Sequence, residues 1–207
     1  MSTRGNPAAL DIGIEALKVA GMNFPSRNLA VHTVVSFFQV ASHLSIGLST
    51  LCAYMQMQLG LAQIRCTMKR KGTERLLELS QITDERIIAR LRLLRLIVTI
   101  AMIRNQKILP LLTFNLVQMN LTHGMSNSMP SSLAMYGTIL GRFGYPNTEI
   151  EKYGKIALTL QDKLGCNDTF ANLTLVTYGT IFTNFTKFSK CMKPLQAGYD
   201  SGIKTGG

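Results

Sequence analysis

His32, His43 and His123 are the only histidines in the chain. Imidazole is the usual proton shuttle near neutral pH, but none of the three stands in a pattern with a serine, a cysteine or a carboxylate from which a catalytic triad would be built. Two carboxylate pairs, Asp84 with Glu85 and Glu149 with Glu151, have the residue types for acid and base work. Both fall where a helix should begin, and there a capping oxygen or a first-turn carboxylate already serves the free amides and the helix dipole. The cysteines Cys52, Cys66, Cys166 and Cys191 form no C-x-x-C pair and have no histidine at zinc spacing. They read as reduced thiols of a cytoplasmic protein. A phosphate loop needs glycines, a lysine and a hydroxyl in the order G-x-x-x-x-G-K-[ST]. The nearest imitation, Gly202 to Gly207, has Lys204 followed by Thr205, but Ile203 replaces the required glycine and no strand precedes it. Kinase H-R-D and D-F-G runs are missing as well. The residues therefore predict a non-enzyme with no catalytic, cofactor-binding or metal-ligating positions, no cofactor and no small-molecule substrate.

The elements that would carry such a protein are helices. A chain of 207 residues, 46% hydrophobic and 16% charged, is apolar enough to fold and of a size for one continuous unit. Lysine and arginine outnumber aspartate and glutamate by 22 to 11, a net +11 that favours acidic partners, nucleic acid or anionic lipid without defining a site. The stacking motifs of a nucleic-acid binder are lacking, so nucleic acid is not an expected partner. No secretory signal opens the chain, because Asp11 and Glu15 break its first apolar stretch. The N-x-T patterns at Asn120, Asn167, Asn172 and Asn184 then carry little meaning as glycosylation sites. From Asn28 to Ile64 there is no charged residue, which gives an alternative reading as a small membrane-associated helical protein anchored through residues 29–64. Gln39, Ser42, His43, Ser45, Ser49, Gln56, Gln58 and Gln63 oppose it, since each is costly in hydrocarbon. A second uncharged stretch, Ile108 to Gly141, is interrupted by Pro110, Gly124 and Pro130 and reads as two helices and a turn.

Apolar spacing places a first helix over Pro7 to Ala20, closed by Gly21 to Pro25. The uncharged stretch should hold one bent helix or two short ones, weakest at Gly47 and Gly60, with Lys69 to Lys71 as a basic turn. Thr73 can cap a short helix bearing Leu76, Leu77 and Leu79, and a connector follows at Gln81 and Ile82. Thr83, Asp84 and Glu85 start a helix to about Arg104, in which Arg86, Arg90, Arg92 and Arg95 form a solvated edge beside Ile87, Leu91, Leu94 and Val98. Helices over Ile108 to Thr122 and from Ser131 follow, and the methionines, Met55, Met57, Met119 and Met125 among them, read as core filling.

The last third contains an internal echo: Tyr136, Gly137, Thr138 and Ile139 return as Tyr178, Gly179, Thr180 and Ile181, a period of 42 residues. Between them lie Gly144, an Asn147 cap and a helix bearing Tyr153, Gly154, Ala157 and Leu160, so one unit is helix, turn, helix, the signature of a helical solenoid. A glycine inside each first helix predicts close approach of a neighbouring helix.

Four runs in order, A-L-x-x-x-G-x-x-F-P at Ala16 to Pro25, H-G-M-S-N-S-M-P-S-S-L-A-M-Y-G from His123, E-K-Y-G-K-I-A-L-T-L from Glu151 and P-L-Q-A-G-Y-D-S-G-I-K-T-G from Pro194, resemble one known segment. It is the tetratricopeptide-like helical region of large predicted ATPases, abundant in diatoms and also found in bacteria, which join a serine/threonine kinase domain to an AAA-type ATPase domain and sometimes carry a sensor histidine kinase or a cyclase. Met129 stands where that family tends to have serine, and Thr183, Asn184 and Phe185 replace a usual proline and tryptophan. The resemblance implies an all-α fold of antiparallel helix pairs stacked as a tetratricopeptide-like solenoid. Residues 1–68 would supply N-terminal helices, 69–125 a helical hairpin region and 126–207 the repeat pair, all one segment of a longer cytoplasmic protein. Its implied function is a non-catalytic scaffold in signal transduction, with protein partners or neighbouring ATPase and kinase domains.

Overall fold

The computed structural model describes residues 46–72, 74–104 and 107–205. The helix expected over Pro7 to Ala20, residues 29–45 of the uncharged stretch, and Thr73 lie outside the described residues. Within them the chain is all α, without a strand, and no helix is long and apolar enough to cross a membrane.

Helix α1, Ile46–Lys71, runs unbroken through Gly47 and Gly60. Gly60 serves a crossing: a Cβ there would stand 2.9 Å from Cδ2 of Phe114. One glycine costs a helix only about 1 kcal/mol, less than a close packing contact returns. Lys69, Arg70 and Lys71, expected as a turn, instead form the last turn of α1, and Gly72 at φ 79° ends it. The short segment Glu74–Glu78 is a single tight 3-10 turn that buries Leu76. The chain then runs extended, and two backbone bonds tie it across the fold: Met125 N donates to Ser80 O at 2.8 Å and Ile82 N to Met125 O at 3.0 Å.

Helix α2, Glu85–Ile103, starts as its sequence predicts, with the Asp84 carboxylate accepting from Arg86 N at 2.9 Å. It buries Leu91, Leu94, Ile97, Val98 and Ala101 on one face. Helices α3, Leu109–His123, and α4, Met129–Arg142, occupy the middle of the molecule, with α3 packed on α1, α2 and α4. Every residue from Met129 to Gly137 is buried, so the absence of charge between Ile108 and Gly141 reflects burial in protein on nearly all sides.

Helix α5, Asn147–Leu164, returns along α4. Pro146, not Asn147, holds the capping position: its extended backbone turns its carbonyl to the amides of Glu149 and Ile150. Gly165 closes α5 in the left-handed conformation at φ 62°. Helix α6, Phe170–Val176, continues through a π-helical turn, Thr177–Ile181, and a 3-10 turn, Phe182–Asn184, before α7, Phe188–Thr205, returns along it. Side-chain back-bonds accompany the widened turn. Thr174, Thr180, Thr183, Asn184 and Thr186 all bond back to carbonyls four residues earlier, which competes with the helix ladder.

The two hairpins meet through small residues. A Cβ on Gly137 would lie 3.2 Å from Tyr153 Cβ and 3.3 Å from Ile181 Cδ1, and one on Gly154 would lie 3.2 Å from Ile181 Cγ2 and 3.3 Å from the Phe182 ring. Ile181, fully buried, is thus a knob seated between two glycines. The prediction of close approach holds at Gly137 but not at Gly179, whose nearest neighbours, Leu175 and Leu195, are at 3.6 and 3.9 Å. The substitution Gly154→Ala should therefore cost about 1–3 kcal/mol by overpacking. By contrast, Gly179→Ala should be neutral or gain up to about 1 kcal/mol from helix propensity. Urea unfolding of both variants checks this, and equal losses would remove the seat as the explanation.

Candidate functional site

The residue types with chemical potential are dispersed by the fold. Asp84 caps α2 and Glu85 lies exposed in its first turn. Glu149 reaches Arg65 Nη1 on α1 at 3.0 Å, while Glu151 pairs with Lys155 at 2.8 Å along α5. His123 is exposed at the end of α3; His32 and His43 lie outside the described residues. Gly202, Ile203, Lys204 and Thr205 are helical, and Thr205 Oγ1 bonds back to Ser201 O, so they form no loop around a phosphate. Cys66 is exposed, and Cys166 and Cys191 are buried free thiols. Burial first, and Asp168 second, push the Cys166 thiol up. Among the described residues no group of three histidine, cysteine or carboxylate side chains could hold a metal ion.

One polar cleft of about 160 Å³ does form, between α2 and the loop leading into α4. It is lined by the apolar Ile82, Ile88, Leu91 and Met125 and by the polar Gln81, Arg92, Arg95, Ser126, Asn127, Ser128 and Asp168. The loop is held from below by Asn120, which is fully buried. Asn120 Oδ1 accepts from Ser126 N at 3.2 Å and from Ser126 Oγ at 2.6 Å, and its amide nitrogen donates to Leu116 O at 2.8 Å. Gly124, at φ 119°, lets the loop pass under Ser80, whose carbonyl would stand 2.6 Å from a Cβ. Across the cleft Arg95 Nη1 meets Asp168 Oδ2 at 3.2 Å, which joins α2 to the loop before α6. Of the four arginines expected as a solvated edge, Arg86 and Arg92 are exposed, whereas Arg90 and Arg95 are half-buried.

Chemically the cleft offers donors and an ion pair. The Ser126 hydroxyl is shared between Asn120 and Ser128, and neither partner is a base. The sequence pointed to this loop through its His123 to Gly137 run but not to its partners on α2, which only tertiary contact reveals.

Sequence reasoning also missed a cluster beneath α5. Arg65 lies over the Tyr145 ring, 4.5 Å from its centre, while pairing with Glu149. Tyr136 and Tyr153 meet edge to face at 5.0 Å, and Tyr153 Oη donates to Met68 Sδ at 3.2 Å. The Tyr136 hydroxyl is buried without a protein partner. No protein-family profile, curated protein or solved structure matches the chain.

Burial, with help from the Glu149 carboxylate, pushes the Tyr153 hydroxyl up to about 12. The same burial, with Tyr153 next, raises Tyr136 further. A phenol held neutral in the fold contributes stability that is intact below its ordinary value of 10.0 and is lost as pH climbs through about 12. The urea midpoint should accordingly fall over that window, and less so in Tyr153→Phe. Near pH 7, Tyr136→Phe should match or exceed the parent, because the hydroxyl it removes has no partner. A Tyr136→Phe variant clearly less stable near neutrality would show that the hydroxyl is bonded after all.

Proposed function

We propose that the chain is a non-catalytic helical-repeat scaffold, a tetratricopeptide-like stack of antiparallel helix pairs serving a signalling ATPase or kinase. The observation that carries this reading is that residues equivalent under the 42-residue period lie side by side. Thr138 Oγ1 and Thr180 Oγ1 are 2.9 Å apart. In a solenoid, the first helix of one unit rests on the first helix of the next, so equivalent positions meet at the period of the repeat. The packing of α6 and its π turn across α4, with Ile181 seated between Gly137 on α4 and Gly154 on α5, supports the same arrangement. The resemblance of the ordered runs to the helical region of kinase–ATPase proteins supplies the setting. In that setting the helix pairs link catalytic and output domains or dock a further protein.

Full-length transcript sequencing tests the setting, and an ATPase assay tests the non-catalytic role. The reading frame should continue into kinase, ATPase or further helical-repeat coding sequence, and the purified chain should turn over no ATP. ATP turnover by the chain alone would overturn the scaffold reading, and a stop codon at both ends would overturn its assignment to a larger ATPase.

A further inference from the structure

The polar cleft is left with bonding capacity that the fold does not use. Ile88, Leu91, Arg92 and Arg95 fall at positions i, i+3, i+4 and i+7 of α2, so one stripe of that helix lines the cleft. The stripe changes character along its length. Ile88 and Leu91 come first, and both guanidiniums follow within about 10 Å of helix. The loop wall repeats the change: Ile82 and Met125, joined by a backbone bond at 3.0 Å, are followed by Ser126, Asn127 and Ser128.

Hydrogen-bond partners sort these polar groups into used and unused. The Ser126 hydroxyl is committed to Asn120 and Ser128, and Arg95 to Asp168 through one bond at 3.2 Å. Among the described residues the side chains of Arg92, Gln81 and Asn127 have no partner. A guanidinium carries several N–H donors and no acceptor, and Asp168 is the one carboxylate of the lining against two arginines. The cleft is therefore donor-rich, with one positive charge in excess. Space sets the size of what it can hold. A volume of about 160 Å³ is that of a cavity which admits a six-carbon ring, far more than one water needs.

We propose that this cleft binds a small amphiphilic carboxylate, its oxyanion on Arg92 and Arg95 and a body of about four or five carbons against Ile88, Leu91 and Met125. The planar fork of a guanidinium matches a carboxylate, and the apolar half of the lining takes the hydrocarbon. The ligand competes with Asp168 for Arg95, the contact that joins α2 to the loop before α6. The site goes beyond the scaffold reading and does not depend on it.

Titration of the isotope-labelled full chain with pentanoate at constant ionic strength tests the proposal by NMR. The backbone amide shifts of Gln81, Ile82 and Ser126 to Ser128 should saturate with a Kd on the order of 1 mM. Acetate, which lacks the body, and pentanol, which lacks the charge, should each bind at least about tenfold more weakly. Arg92→Gln should weaken pentanoate by about fivefold or more at unchanged Tm, because the side chain is exposed and unpaired. Asp168→Asn should tighten it by about threefold or more, since it removes the carboxylate that occupies Arg95. No saturable shift at these amides, saturation elsewhere in the chain, or equal affinity for acetate overturns the proposal. So does indifference to Arg92→Gln, or no gain from Asp168→Asn with an unchanged circular dichroism spectrum. Inorganic phosphate that displaces pentanoate at a lower concentration than acetate does overturns the carboxylate in favour of a phosphate site.

Discussion

The arrangement of the described helices depends on one steric constraint: Ile181 packs tightly between Gly137 on α4 and Gly154 on α5. A Cβ at either glycine would stand 3.2–3.3 Å from its neighbours, so they would have to give by a few tenths of an ångström. Dispersion between packed atoms falls off steeply across even a gap of 1 Å or less, so a modest displacement would forfeit much of the contact between the hairpins. The hydroxyl contact of Thr138 with Thr180 depends on the same spacing. Two glycines that cost each helix some intrinsic stability are thereby offset by tertiary packing, the balance that decides most helices in proteins.

A second constraint is burial at the centre. Helices α3 and α4 are enclosed by α1, α2, α5 and α6, and several of their buried polar side chains are answered locally, whereas Gln118 Oε1 and the Tyr136 hydroxyl are not. Thr113 returns its hydroxyl to Leu109 O, Ser132 to Met129 O, and Asn120 spends its side chain on the 126 loop. The N-x-T at Asn120, a glycosylation pattern on paper, is a fully buried structural amide. Hydrophobicity without charge is thus the mark of an enclosed helix pair over Ile108 to Gly141, as the prolines and glycine inside it suggested.

Local chemistry was legible and tertiary chemistry was not. The Asp84 cap, the helix over about Ile108 to Thr122 and the core role of Met125 could be read from neighbouring residues, because caps and periodic patterns are short-range, whereas the helix expected from Ser131 begins two residues earlier, at Met129. The continuity of α1 through Gly60 was missed because the compensating atom belongs to Phe114, far along the chain. The partners of Arg65 and Arg95 were missed for the same reason: Glu149 and Asp168 are 84 and 73 residues away. The polar cleft was half legible, its loop through a sequence run and its α2 wall only through the fold.

The second hairpin is not a copy of the first. In α4 the helix is regular to Arg142 and the turn to α5 uses Gly144 and Pro146. In the second hairpin the hydroxyl and amide side chains draw on helix carbonyls, the pitch widens over Thr177–Ile181 and tightens over Phe182–Asn184, and α7 begins one residue early relative to α5. That shift rotates α7 by roughly 100° relative to a strict repeat. Cys191, Gly198 and Gly202 turn inward as a result, and the crossing tightens until Gly198 faces Thr174 with no space for a Cβ. The large apolar residues of α7 are left outside because the inner face is already filled by small ones.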